Sequence, residues 1–135
     1  MNWTLEVVVV PVSDVDRAKA FYAQQAGFVV DHDTVISEGN RIVQLTPQGS
    51  GCSIVIGEGV LPDMTPGSLK GLQLVVPDIH AARDELLGRG VEVSEVQVLG
   101  ENPRPVDDPL DNVGFVYFAD PDGNAWAVQQ ISNRA

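Results

Sequence analysis

The sequence predicts an α+β fold in which two βαβββ modules form a single domain over residues 1–135. Short β-branched runs alternate with single amphipathic helical segments, and the order strand, helix, three strands occurs twice. The halves also align residue by residue: Val12-Ser13-Asp14-Val15 matches Val76-Pro77-Asp78-Ile79 at an offset of 64.

Residues 5–12, LEVVVVPV, read as a strand buried on both faces. Ser13 is the expected N-cap of a helix, with Asp16 three residues on, and Val15, Ala18, Phe21 and Tyr22 recur at helical spacing. Gly27 sits where a left-handed glycine ends the helix. Residues 28–33, 41–46 and 52–57 follow as short strands, separated by Glu38-Gly39-Asn40 and by a Pro/Gly-rich turn at 47–51. Module 1 is thus 1–58, a linker covers 59–69 and module 2 is 70–135. In the second module, 72–76 is a strand and Asp78 caps a helix whose Ile79, Ala82 and Leu86 face the core. Gly90 ends that helix; 91–99, 114–118 and 124–131 are the remaining strands. Thr46-Pro47-Gln48-Gly49 aligns with Asp120-Pro121-Asp122-Gly123 at an offset of 74, so the second half carries ten extra residues. Their natural place is 100–113, GENPRPVDDPLDNV, read as a solvated loop or one lining a ligand cleft.

Composition narrows the function classes. The net charge of −11, from 8 Lys+Arg against 19 Asp+Glu, disfavours nucleic-acid phosphates and anionic membrane surfaces. The longest apolar run, 7–12, is far short of a transmembrane helix. A strand begins too early to leave room for a signal peptide, and a lone cysteine suits a reducing compartment, so the expected location is cytoplasmic.

The segment Pro11-Val12-Ser13-Asp14-Val15-Asp16-Arg17-Ala18-Lys19-Ala20-Phe21-Tyr22, Gly27-Phe28 and Asp120-Pro121-Asp122-Gly123-Asn124 together resemble the vicinal oxygen chelate superfamily. That superfamily includes glyoxalase I, extradiol dioxygenases and the bleomycin- and fosfomycin-resistance proteins. The resemblance implies curved mixed sheets forming a cleft, as in glyoxalase and bleomycin-resistance proteins, and a homodimer. Metal-using members place ligands on the first and last strand of each module. Counting from the shared motifs puts those positions at Val7, Ser53, Gly71 and Ala127, none a competent ligand apart from a weak serine hydroxyl. The expectation is no metal and no cofactor.

Strand parity then lists a cleft face. Val9, Val55, Gln73 and Gln129 share a side with the four positions, and the resemblance adds Tyr117; by the repeat, Val43 and Arg41 join them. Arg41, Ser53, Gln73, Tyr117 and Gln129 are the expected ligand-binding residues, although Gln73 and Gln129 could equally bond each other or the backbone. Tyr117 and His32 are the only candidate acid and base. His32, flanked by Asp31 and Asp33 on opposite faces, and His80 read as surface residues; Cys52 and Trp126 read as core. Asp120 and Asp122 read as caps for their own turn.

The expected function is metal-independent small-molecule binding, sequestering a cationic or amphipathic ligand such as an antibiotic. The alternative is a metal-free isomerase or lyase using the same cleft. A metal enzyme with rearranged ligands is disfavoured by the donor count.

Overall fold

A computed structural model describes residues 1–102 and 106–133. Part of the proline-rich loop, residues 103–105, lies outside the described residues. The chain divides into two compact units, Met1–Leu69 with Asp120–Asn124, and Lys70–Ala119 with Ala125–Ala135.

The first unit holds β1 (Val7–Val9), α1 (Val15–Ala20), β2 (Val29–Ser37), β3 (Asn40–Thr46) and β4 (Ser53–Glu58). Its strands form an open mixed sheet in the order β1-β4-β3-β2, with β1 parallel to β4 and the other pairs antiparallel. β1 is shorter than expected, half-buried, and lies at one edge of the sheet. β2 is longer than expected and nearly all exposed at the other edge. The cap of α1 is Asp14, which accepts from the Arg17 amide at 3.0 Å, and not Ser13. A five-residue π-helical turn, Phe21–Gln25, extends α1. Gly27 follows it at φ +80°, the left-handed conformation expected of a terminating glycine. Val15, Ala18, Phe21 and Tyr22 are buried on the helical side, as are Val43, Leu45, Ile54 and Ile56 on the sheet. Each such aliphatic side chain contributes roughly 1.5–3 kcal/mol by leaving water.

The Asp120–Asn124 turn belongs to this unit. Asp120 Oδ1 accepts from the Asp122 and Asn124 amides, which is the local capping expected of it. Its Oδ2 also accepts from the Tyr22 hydroxyl at 2.7 Å and from Asn124 Nδ2 at 2.7 Å. Asn124, fully buried, donates in addition to the Pro11 carbonyl at 2.8 Å. Asp122 departs from the local reading: its carboxylate accepts from the Ser13 amide and hydroxyl and pairs with Arg17. That contact explains why Ser13 does not cap the helix.

The second unit holds β5 (Leu72–Val76), α2 (Ile79–Gly88), β6 (Gln97–Val98), β7 (Gly114–Ala119) and β8 (Ala125–Gln130). The sheet order β5-β8-β7-β6 repeats the first, again with one parallel pair. Asp78 caps α2 through the Ala81 amide at 3.1 Å, and Gly90 follows the helix at φ +81°. Ile79 and Leu86 are buried on α2, and Val116, Phe118, Trp126 and Val128 on the sheet. The strand expected over 91–99 shrinks to two residues. Ser94 reaches β7 in a different way, accepting from the Tyr117 amide through its hydroxyl, which breaks the regular ladder.

Candidate functional site

The helix covers one face of each sheet, and the other face is where the expected site residues were placed. Register decides which side chains occupy it. In the second sheet Gln73 is level with Ala127, Tyr117 opposes Ala127, and Phe115 opposes Gln129. Their alternates Trp126, Val128 and Gln130 lie on the helical side, where Gln130 Oε1 accepts from the Ile79 amide at 2.9 Å. Gln73, Tyr117 and Gln129 therefore share the open face. Gln73 Nε2 donates to Gln129 Oε1 at 2.6 Å, and Gln129 Nε2 donates to the Asn112 carbonyl at 2.6 Å. The Tyr117 hydroxyl has no hydrogen-bond partner among the described residues. Its ring lies nearly parallel to that of Phe115, 6.2 Å between centroids. Phe115 escaped the sequence reading, although it stands two residues from Tyr117 and so shares its face.

The first sheet requires a correction. The buried pairs Val43–Ile56 and Leu45–Ile54 correspond to Val116–Val128 and Phe118–Trp126. The offset is thus 73 on the third strand and 72 on the fourth, not the 74 of the turn motif, and the step from 73 to 72 arises because β7 and β8 are joined by five residues where β3 and β4 are joined by six. A slip of one residue exchanges the faces of a strand. The counterpart of Tyr117 is accordingly Gln44, while Val43 and Arg41 lie on the helical side. There Arg41 holds Asp33 with two nitrogens, at 2.9 and 2.7 Å, and Asp16 of α1 at 2.8 Å. Lys19 adds a second cation to Asp33 at 2.8 Å. The Arg41 and Lys19 hydrogen bonds hold the Asp33 carboxyl well below the usual carboxylate range, and Asp33 and Asp16 raise the Arg41 guanidinium.

Ser53 does lie on the open face, with Val7, Val9, Ile42, Gln44, Thr46 and Val55. It is only 6% exposed and sits inside a row of polar side chains that crosses three strands. A β-bulge between Val30 and His32 puts Asp31 and His32 on the same face, against the ordinary alternation. Thr46 Oγ1 donates to Asp31 Oδ2, and Thr46 lies 2.6 Å from Ser53 Oγ. Gln44 Nε2 donates to Ser53 Oγ at 3.2 Å, and Gln44 Oε1 lies 3.2 Å from His32 Nε2. Thr34 Oγ1 completes the row, 3.3 Å from His32 Nδ1. His32 is exposed, as expected, but is tied to this row. Asp31 was missed because no local sequence signal announces the bulge, and Gln44 and Thr46 because the repeat alignment was one residue out on β3. His80 is exposed, Trp126 is buried, and Cys52 is half-buried just before β4.

The positions that hold a metal in metal-using proteins of this type do not fit one. Val7 and Ser53 are register partners. Gly71 precedes β5, and the fourth position is Ala127 by motif counting or Ala125 by the strand register. Neither alternative brings an imidazole, carboxylate or amide to the set, and a single hydroxyl does not hold a divalent ion. No helix among the described residues is long and apolar enough to cross a membrane.

The family model of the glyoxalase/bleomycin resistance protein/dioxygenase superfamily matches residues 4–128. The chain belongs to that superfamily. Solved structures agree. TnmS3, an antibiotic binding protein from Streptomyces sp. CB03234, is 33% identical, with a TM-score of 0.74 over 97% of this chain and 98% of that one. A glyoxalase/bleomycin resistance protein from the same organism is also 33% identical, with a TM-score of 0.71 over 94% of this chain and 100% of that one. A superfamily member from Sphaerobacter thermophilus DSM 20745 shares the fold at 24% identity, with a TM-score of 0.75 over 96% and 98%. No curated protein matches the chain in sequence.

Proposed function

We propose that this superfamily member is a metal-independent small-molecule-binding protein that sequesters an amphipathic or cationic compound such as an antibiotic. The observation that carries this reading is what occupies the metal positions. Val7, Ser53, Gly71 and Ala127 replace ligands, while the faces around them keep polar groups among apolar ones, with the Asp31 carboxylate at the end of the row on the first sheet. On the second sheet these are Gln73, Tyr117 and Gln129, beside Phe115, Ala125 and Ala127. On the first sheet Ser53 is bordered by Val7, Val9 and Val55. Apolar lining with a few placed polar groups is the usual composition of a small-molecule site. The Tyr117 hydroxyl, Gln73 Oε1 and the second lone pair of Gln129 Oε1 are available to a ligand. The antibiotic-binding relative at 33% identity supports the same reading, as does the net charge of −11, which attracts cations. The protein acts as a homodimer in the cytoplasm.

A thermal-shift panel of glycopeptides, aromatic polyketides and thiol–aldehyde adducts, run with and without EDTA, tests the proposal. Stabilisation that persists in EDTA without product formation is expected, weakened at least tenfold in affinity by Gln73→Ala or Tyr117→Ala. Product formation abolished by Tyr117→Phe would replace binding by metal-free isomerase or lyase chemistry.

A further inference from the structure

We infer that the bulged row on the first sheet is a recognition site for a protonated amine, with Asp31 as its counter-ion. This rests on the small-molecule reading above and names the ligand class that one face selects. Proton bookkeeping along the row supplies the reason. An ionised carboxylate only accepts, so Thr46 spends its one proton on Asp31. Ser53 must then donate to Thr46, and it accepts from Gln44 Nε2. The Gln44 carbonyl oxygen only accepts, so His32 carries its proton on Nε2, and in the neutral ring Nδ1 accepts from Thr34.

Every bond in the row therefore points the same way, from Thr34 through His32, Gln44, Ser53 and Thr46 to Asp31. Aligned hydrogen bonds polarise one another, and this row ends on an anion. With its hydroxyl protons committed, the row presents to a ligand mainly lone pairs, together with Oδ1 of exposed Asp31 and one N–H of Gln44. A group made only of donors and carrying positive charge complements that surface, which is the description of an ammonium. Val7, Val9, Ile42 and Val55 share the face and suit an apolar body attached to the amine. A pocket of about 400 Å³ beside Val9 and Gly57, with Glu58 and Asp63 in its lining, adds negative charge at one end of the same unit.

The bulge is what makes the arrangement available. In a regular strand Asp31 and His32 would face opposite sides, and the carboxylate and the imidazole could not belong to one row.

Calorimetry with matched probes tests the inference on the full chain. The probes are 1-naphthylmethylammonium, its neutral isostere 1-naphthalenemethanol, and N-acetyl-lysine amide, which keeps the ammonium without the aromatic body. The naphthyl cation is expected to bind at least tenfold more tightly than either of the others, as a hydrogen bond to a charged group allows. Asp31→Asn is expected to bring the cation down to the affinity of the alcohol without changing the alcohol. Asp84→Asn, which removes one exposed carboxylate from α2, is expected to change neither. Equal binding of cation and alcohol, or a cation affinity unaltered by Asp31→Asn, would overturn the amine site and leave the small-molecule reading standing. Failure of every probe, together with failure of the thermal-shift panel, would overturn both.

Discussion

Arg41 shows how much rests on a single residue of register. Its positive charge and its place on a strand near Ser53 made it a natural ligand contact, yet its guanidinium is occupied by Asp33 and Asp16 on the helical side. The consequence is structural. Asp33 is held low by Arg41 first and Lys19 second, so its stabilisation is complete above the unfolded carboxylate value of about 4 and is lost as pH falls from there through the depressed folded value. Asp33→Asn is expected to cost about 1–2 kcal/mol in urea unfolding at neutral pH, since both partners are partly shielded from solvent. The gap from the unsubstituted protein should narrow steadily below pH ~4. A gap that stays constant with pH would show that Asp33 contributes through packing alone.

At the level of elements, the strands and helices were legible wherever local pattern and local packing agree. Residues 72–76 form a strand as expected, Asp78 caps its helix, and Gly27 and Gly90 end theirs. The expectations that failed concern edges and long-range contacts. β1 and β6 are shorter than expected, β6 where the Ser94 hydroxyl takes the Tyr117 amide, and Ser13 leaves its capping role for Asp122, which lies 109 positions away in the chain. The same distance hides the role of Tyr22. A buried tyrosine on an apolar helix face reads as packing, but its hydroxyl anchors Asp120 in the turn that follows β7. Tyr22→Phe removes that donor from a buried carboxylate and is expected to lower unfolding stability by about 1–3 kcal/mol. Guanidinium denaturation measures it; a loss too small to resolve would mean that the Asn124 side chain alone satisfies Asp120 Oδ2. As for the candidate site, the open face of the second sheet was readable from alternation once the family resemblance had supplied Gly71, Ala127 and Tyr117 as starting points. The row on the first sheet was not, because a bulge and a hairpin one residue longer than its repeat both act on parity without leaving a motif.

For the whole molecule, family membership settles the scaffold and leaves the chemistry to the side chains it carries, since one fold hosts many activities. On the proposed reading, the positions that carry ligands in metal-using members are Val7, Ser53, Gly71 and Ala127, and none of them supplies an imidazole or a carboxylate. The central claim is that ligand binding proceeds without a metal. Its most direct test is titration calorimetry of the strongest compound from the thermal-shift panel, in EDTA and then in excess nickel, zinc or manganese, beside elemental analysis of protein purified without chelators. The account predicts one dissociation constant in all four conditions and no stoichiometric metal. A stoichiometric divalent ion, with binding that disappears in EDTA and returns when the ion is restored, would contradict it.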